Sequence, residues 1–117
     1  MNALVVFIGG GVGSLMRYGL SLAIGSHGFP FATLAANVAG CLLIGCFGAS
    51  GTRFSWSEAT NLLLMMGLCG GFTTFSTFSK ESLALIEGGN YGMFALYAAG
   101  SVALGIAATA FGFWLVK

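Results

Sequence analysis

Four stretches of this chain run long enough to cross a bilayer while carrying almost no charge, and that pattern leaves few folds open. Ala3 to Ile24 is interrupted only by Arg17, and Phe31 to Ser50 has no charged side chain. Ala59 to Ser79 has none and stays apolar past Lys80 and Glu81 to Ile86, while Tyr91 to Val116 again has none. A hydrocarbon core roughly 30 Å thick takes about 20 apolar residues to cross as a helix, a length each stretch reaches. With 57% hydrophobic and 6% charged residues among 117, and a mean hydropathy of +0.96, too little polar side chain remains to coat a water-soluble globule. The expected fold is an all-α membrane protein forming one transmembrane domain over 1–117, with helices near 3–24, 31–50, 59–86 and 91–116.

The rest of the composition removes whole classes of function. The chain begins Met-Asn-Ala and stays apolar beyond the length of a signal peptide's apolar region, so the first segment is expected to be retained. Cys41, Cys46 and Cys69 are odd in number, lie inside expected spans and lack metal-ligand spacing, so they read as small packed side chains. A net charge of +1 without clustered Lys or Arg argues against a nucleic-acid partner. Nothing suggests an enzyme: the sole histidine, His27, sits in a loop, and Glu58, Glu81 and Glu87 lie near span ends with no nucleophile and base arranged about them.

Loops expected at Gly25 to Pro30, Gly51 to Glu58 and Glu87 to Asn90 are short enough to force antiparallel neighbours. Arg53 and Lys117 then fall on one side of the membrane, Arg17 and Lys80 on the other, and this balance sets no orientation. Either other features fix the orientation, or the chain inserts both ways and pairs as an antiparallel dimer. Four short helices hardly enclose a polar route alone, and a symmetric homodimer is the commonest assembly. Small residues let helices approach in lipid, and Gly9 with Gly13, Ala36 with Gly40, and Gly88 with Gly92 have the small-xxx-small spacing, the last across a loop.

Polar groups inside a membrane are costly and therefore informative. Thr33 and Asn37 stand at i and i+4, with Gly40 and Cys41 continuing that face; they either bond a neighbouring helix or line a solute pathway. An unbroken helix from 59 to 86 would extend roughly 42 Å, longer than the apolar core. Gly70-Gly71 followed by the β-branched Thr73-Thr74 predicts a break near 70–74. Freed carbonyls at that depth need a partner such as a cation. Beyond the break, Phe75 and Phe78 share a face that Ser79 and Ser82 continue. The rings either fill the core or turn their positive edges to a passing anion, a weak interaction suited to fast passage.

These residues resemble the Fluc fluoride channels, also called CrcB proteins, along essentially the whole chain. The resemblance lies in Gly9-Gly10 through Gly13 to Arg17-Tyr18, in Thr33-Leu34-Ala35-Ala36-Asn37-Val38-Ala39-Gly40, and most specifically in Gly-Gly-Phe-Thr-Thr-Phe-Ser-Thr-Phe over 70–78. It implies a dual-topology antiparallel homodimer with two fluoride pores, and a structural sodium ion at the dimer interface held by the backbone carbonyls of Gly70 and Thr73. It implies Phe75 and Phe78 as pore phenylalanines and Asn37 as the pore asparagine. Thr33, Ser76 and Thr77 would then stand along the pathway, Arg17 and Glu81 at the aqueous vestibule, and Tyr97 and Ser101 as the pore-facing pair of the last helix.

The function expected is passive, fluoride-selective conduction that relieves fluoride toxicity from a microbial plasma (inner) membrane, with Asn37, hydroxyls and ring edges replacing water around the ion. A small multidrug-resistance-type, proton-coupled transporter is the rival, but it needs a carboxylate deep in the membrane, and Glu81 lies near a span end. A structural subunit of a larger complex would explain the glycines and not the Thr-Thr-Phe-Ser-Thr-Phe run.

Overall fold

In lipid no water satisfies an exposed backbone, so apolar spans close their hydrogen bonds internally as helices. The computed structural model describes residues 2–25 and 29–116; His27 of the first loop and Lys117 of the charge count lie outside the described residues. The described residues form five helical pieces: α1 (Asn2–Ile24), α2 (Phe31–Arg53), α3 over 58–72, α4 (Ser76–Glu87) and α5 (Tyr91–Val116). Together α3 and α4 make one broken span, so four spans long and apolar enough to cross a membrane result. The longest dimension, 48 Å, matches a bilayer of about 40–45 Å with its headgroups.

Two boundaries differ from the sequence reading. First, α2 runs past Ser50 to Arg53 and then ends at once: Phe54 N–H donates to the Ser50 carbonyl at 2.8 Å, Ser55 takes a left-handed φ of 52°, and Trp56 N–H donates to Gly51 at 3.0 Å. The loop shrinks to 54–57, where Ser57 caps α3 by accepting from Thr60 N–H at 3.2 Å. Second, the break occupies 73–75, overlapping the expected 70–74 at Thr73 and Thr74 and extending one residue beyond it. Gly70–Phe72 stay helical, with Gly71 packed against the Gly10 backbone, and the chain turns extended at Thr73 (φ −86°, ψ 155°).

The helices associate as two pairs, α1 along α3 and α2 along α5. Gly9 lies against Gly67, whose Cα stands 3.0 Å from where a Gly9 Cβ would be, and a Cβ on Gly13 would strike the Leu68 carbonyl. Ala36 is fully buried, and Gly40 gives room to the Thr73 side chain. The α2–α5 seam uses Gly45 against Thr109 and Gly112 against Leu42, a contact the spacing rule does not pick out. Gly88 meets only its own turn and Gly92 has nothing within 4 Å, so that pair joins no helices. Within α3, Leu62–Cys69 winds as π-helix, a form that concentrates near functional sites.

Candidate functional site

The break is held open by a side chain from another helix. Asn37 of α2 donates from Nδ2 to the Thr74 carbonyl at 3.0 Å and accepts from Thr74 N–H on Oδ1 at 2.8 Å, pairing with both backbone groups of that residue as a strand neighbour would. One Nδ2–H is used in this; an amide nitrogen carries two, and the second stays available. The Thr74 hydroxyl accepts from Thr77 N–H at 3.2 Å and so caps α4.

Following each backbone group through the break shows what is freed. The Cys69 carbonyl receives both Thr73 N–H (2.9 Å) and the Thr73 hydroxyl (2.8 Å). Arg17 Nε donates to the Gly71 carbonyl at 3.4 Å, placing a cation at the negative end of α3. In a continuous helix the carbonyls of Gly70 and Thr73 would receive the N–H groups of Thr74 and Thr77. Those two donors go to Asn37 and to the Thr74 hydroxyl. The break therefore leaves two carbonyls without their helical donors next to the positive N-terminus of α4.

Two cavities flank it. A vestibule of about 760 Å³ is lined by Arg17, Thr33, Thr77 and Glu81. A central cavity of about 380 Å³ is lined by Asn37, Gly70, Thr73, Phe75, Phe78 and Ser101. Thr33 and Asn37, one turn apart on α2, connect the two. Between them Tyr97 is completely buried, and its hydroxyl donates to Glu81 Oε1 at 3.0 Å. Its ring lies 4.9 Å from that of Phe78, which lies 5.7 Å from Phe75, so three rings line up from the vestibule toward the break.

Most residues singled out from the sequence therefore meet at one of the two cavities. Ser76 and Tyr97 line neither: Tyr97 is fully buried beside them, and Ser76 is exposed with its hydroxyl 3.3 Å from that of Thr74. Ser101 has a buried hydroxyl with no hydrogen-bond partner among the described residues. Phe75 is 76% exposed, so its ring rests on Phe78 and otherwise faces out of the subunit. Sequence reasoning missed Thr74, although the Thr-Thr pair marks it, and the hydroxyls of Ser14 and Ser21, which share the vestibule with Arg17 and stand at i−3 and i+4 from it.

Comparison with known proteins shows the family. The family described as CrcB-like protein, Camphor Resistance (CrcB), matches residues 4–113. A fluoride-specific ion channel FluC of Phocaeicola vulgatus is 48% identical over 117 aligned residues, covering 97% of both chains. That of Bacteroides fragilis is 44% identical over 94% of this chain and 91% of its own. That of a Methylobacterium species is 43% identical over all of this chain and 97% of its own.

Proposed function

The chain belongs to the CrcB family and is a fluoride channel; from that premise we propose that fluoride passes between the two cavities along the Thr33–Asn37 face and the ring edges of Tyr97, Phe78 and Phe75. The reading is supported above all by the pairing of Asn37 with Thr74, which keeps the span broken and still leaves an amide N–H for the ion.

Arg17 and the polar vestibule gather the anion and lower the cost of leaving bulk water. A dehydrated fluoride then needs donors at short intervals. Thr33, Thr77 and the second N–H of Asn37 supply them, and the positive ring edges continue the path where no hydroxyl stands. None of these holds a formal charge, so the ion is never bound tightly enough to stop. Flow is passive, down the electrochemical gradient, and its use is relief from fluoride accumulating in a microbial cell, across the plasma (inner) membrane.

The active form is an antiparallel homodimer. Phe75 and the central cavity are open on the subunit's own surface, and a second copy in inverted orientation would wall them. The carbonyls of Gly70 and Thr73, deprived of their helical donors, fit a sodium ion shared across the two-fold axis; nothing lies within 4 Å of Gly70 where a Cβ would be. Sodium there supplies a fixed positive charge at the membrane centre. A proton-coupled drug transporter finds no support: the Glu81 carboxylate is engaged by Tyr97 at the vestibule.

Liposomes loaded with potassium fluoride or chloride test the reading. Wild-type protein should release fluoride and retain chloride, and a joint Phe75→Ile and Phe78→Ile change should stop release while the protein still elutes as a dimer. Unchanged release by that variant removes the rings from the route. Single cysteines on the open face, in a background lacking Cys41, Cys46 and Cys69, should cross-link only between inverted copies.

A further inference from the structure

The loop between α1 and α2 returns one aromatic ring to the bundle that the route above does not use. Phe31 N–H donates to the Phe29 carbonyl at 2.8 Å around Pro30, whose φ of −78° and ψ of 68° make an inverse γ-turn. Proline pre-sets that φ, so the turn is built in. It brings Phe29, half-buried, against Tyr97 with ring centroids 5.5 Å apart and planes at 82°, an edge-to-face contact. Phe29 also lies 4.9 Å from the Phe31 ring and lines the vestibule.

We infer that Phe29 is a positioning residue of the fluoride route, fixing the Tyr97 ring between itself and Phe78 and so holding the Tyr97 hydroxyl on Glu81. The inference rests on the route proposed above. Among the described residues Tyr97 has two ring neighbours, Phe78 at 4.9 Å and Phe29 at 5.5 Å, and its hydroxyl is hydrogen-bonded to Glu81 and to Thr33. An aliphatic side chain of similar volume would fill the space of Phe29. It would not set the tilt of the Tyr97 ring, because only an aromatic partner distinguishes edge from face. Phe29 is thus part of how the vestibule end of the route is shaped, although it belongs to a loop.

Fluoride release from liposomes tests this in four variants. Phe29→Leu should slow release roughly three- to tenfold, the range an edge-to-face pair is worth, and Phe29→Tyr should stay near wild type. On a Tyr97→Leu background, Phe29→Leu should add nothing further. Wild-type release by Phe29→Leu, equal losses in Phe29→Leu and Phe29→Tyr, or a full additional loss on the Tyr97→Leu background would each overturn the inference. Tyr97→Leu alone separates the two levels: if it conducts like wild type, the route itself is misplaced, whereas a slow Tyr97→Leu with a normal Phe29→Leu removes Phe29 only. Should Phe29→Leu not assemble, Phe29→Met takes its place, with a flexible chain and no ring.

Discussion

Gly70 and Gly71 are neighbours in the chain and opposites in use. A Cβ on Gly71 would meet the backbone of Gly10, with its Cα 2.9 Å away, whereas nothing lies within 4 Å of the same position on Gly70. The two sides of one helical turn thus answer to different needs. One closes α3 onto α1 within the subunit, backbone against backbone; the other leaves space beside the freed carbonyls for whatever stands outside it.

Substituting each glycine in turn puts the largest stress on that contrast. Overpacking a core costs about 1–3 kcal/mol when side chains can shift, and the Gly10 backbone cannot shift without parting the two helices. Gly71→Ala should therefore lose most of its folded, monodisperse yield on size exclusion. Gly70→Ala should fold, since its methyl meets nothing in the subunit, and yet lose the dimer and its response to sodium. A Gly70→Ala protein that pairs and conducts as the wild type does would mean the open side is not the meeting face.

The next effect lies at the strap. Asn37→Ala leaves Thr74 N–H and C=O unpaired at membrane depth, where each lost partner costs about 1–3 kcal/mol. Thermal stability should fall, and fluoride release should drop by about a hundredfold, which corresponds to roughly 2.7 kcal/mol in the barrier. Full stability with lost release would show that Thr74 finds another partner and that Asn37 acts on the ion alone.

How much of this can be read from the residues follows the same division. The four spans are legible because lipid leaves an apolar chain little choice but helix. The face pairing Thr33 with Asn37 is legible as well, since i and i+4 positions share a side of any helix. The break is legible as an event, but it begins three residues later than expected and ends one later, because intrinsic propensity points to Gly-Gly as the weak point. In the folded chain those glycines stay helical, Gly71 seated against Gly10, and the Thr73 hydroxyl and Asn37 make the break one turn later. The bond from Arg17 to Gly71 and the ring of Phe29 on Tyr97 depend on contacts between residues 54 and 68 positions apart, and no local pattern announces them. The π-helical turns at Leu62–Cys69 have no signature that we can name in their leucines and methionines.

The smallest expected effect sharpens which atom of Thr73 matters. Its hydroxyl is already committed to the Cys69 carbonyl at 2.8 Å, while its own carbonyl has lost the Thr77 donor to Thr74. Thr73→Val keeps the branched shape against Gly40 and keeps the backbone carbonyl, and removes only the hydroxyl bond, a change worth about 1 kcal/mol. Release of fluoride should stay within about twofold of wild type, and the sodium response should be unchanged, because 1 kcal/mol spread over both conducting and resting forms alters the barrier little. A Thr73→Val protein that still folds but no longer responds to sodium would move the ion from the main chain to the hydroxyl. The break would then serve to aim a side chain, and the freed carbonyls of Gly70 and Thr73 would need another partner across the two-fold axis.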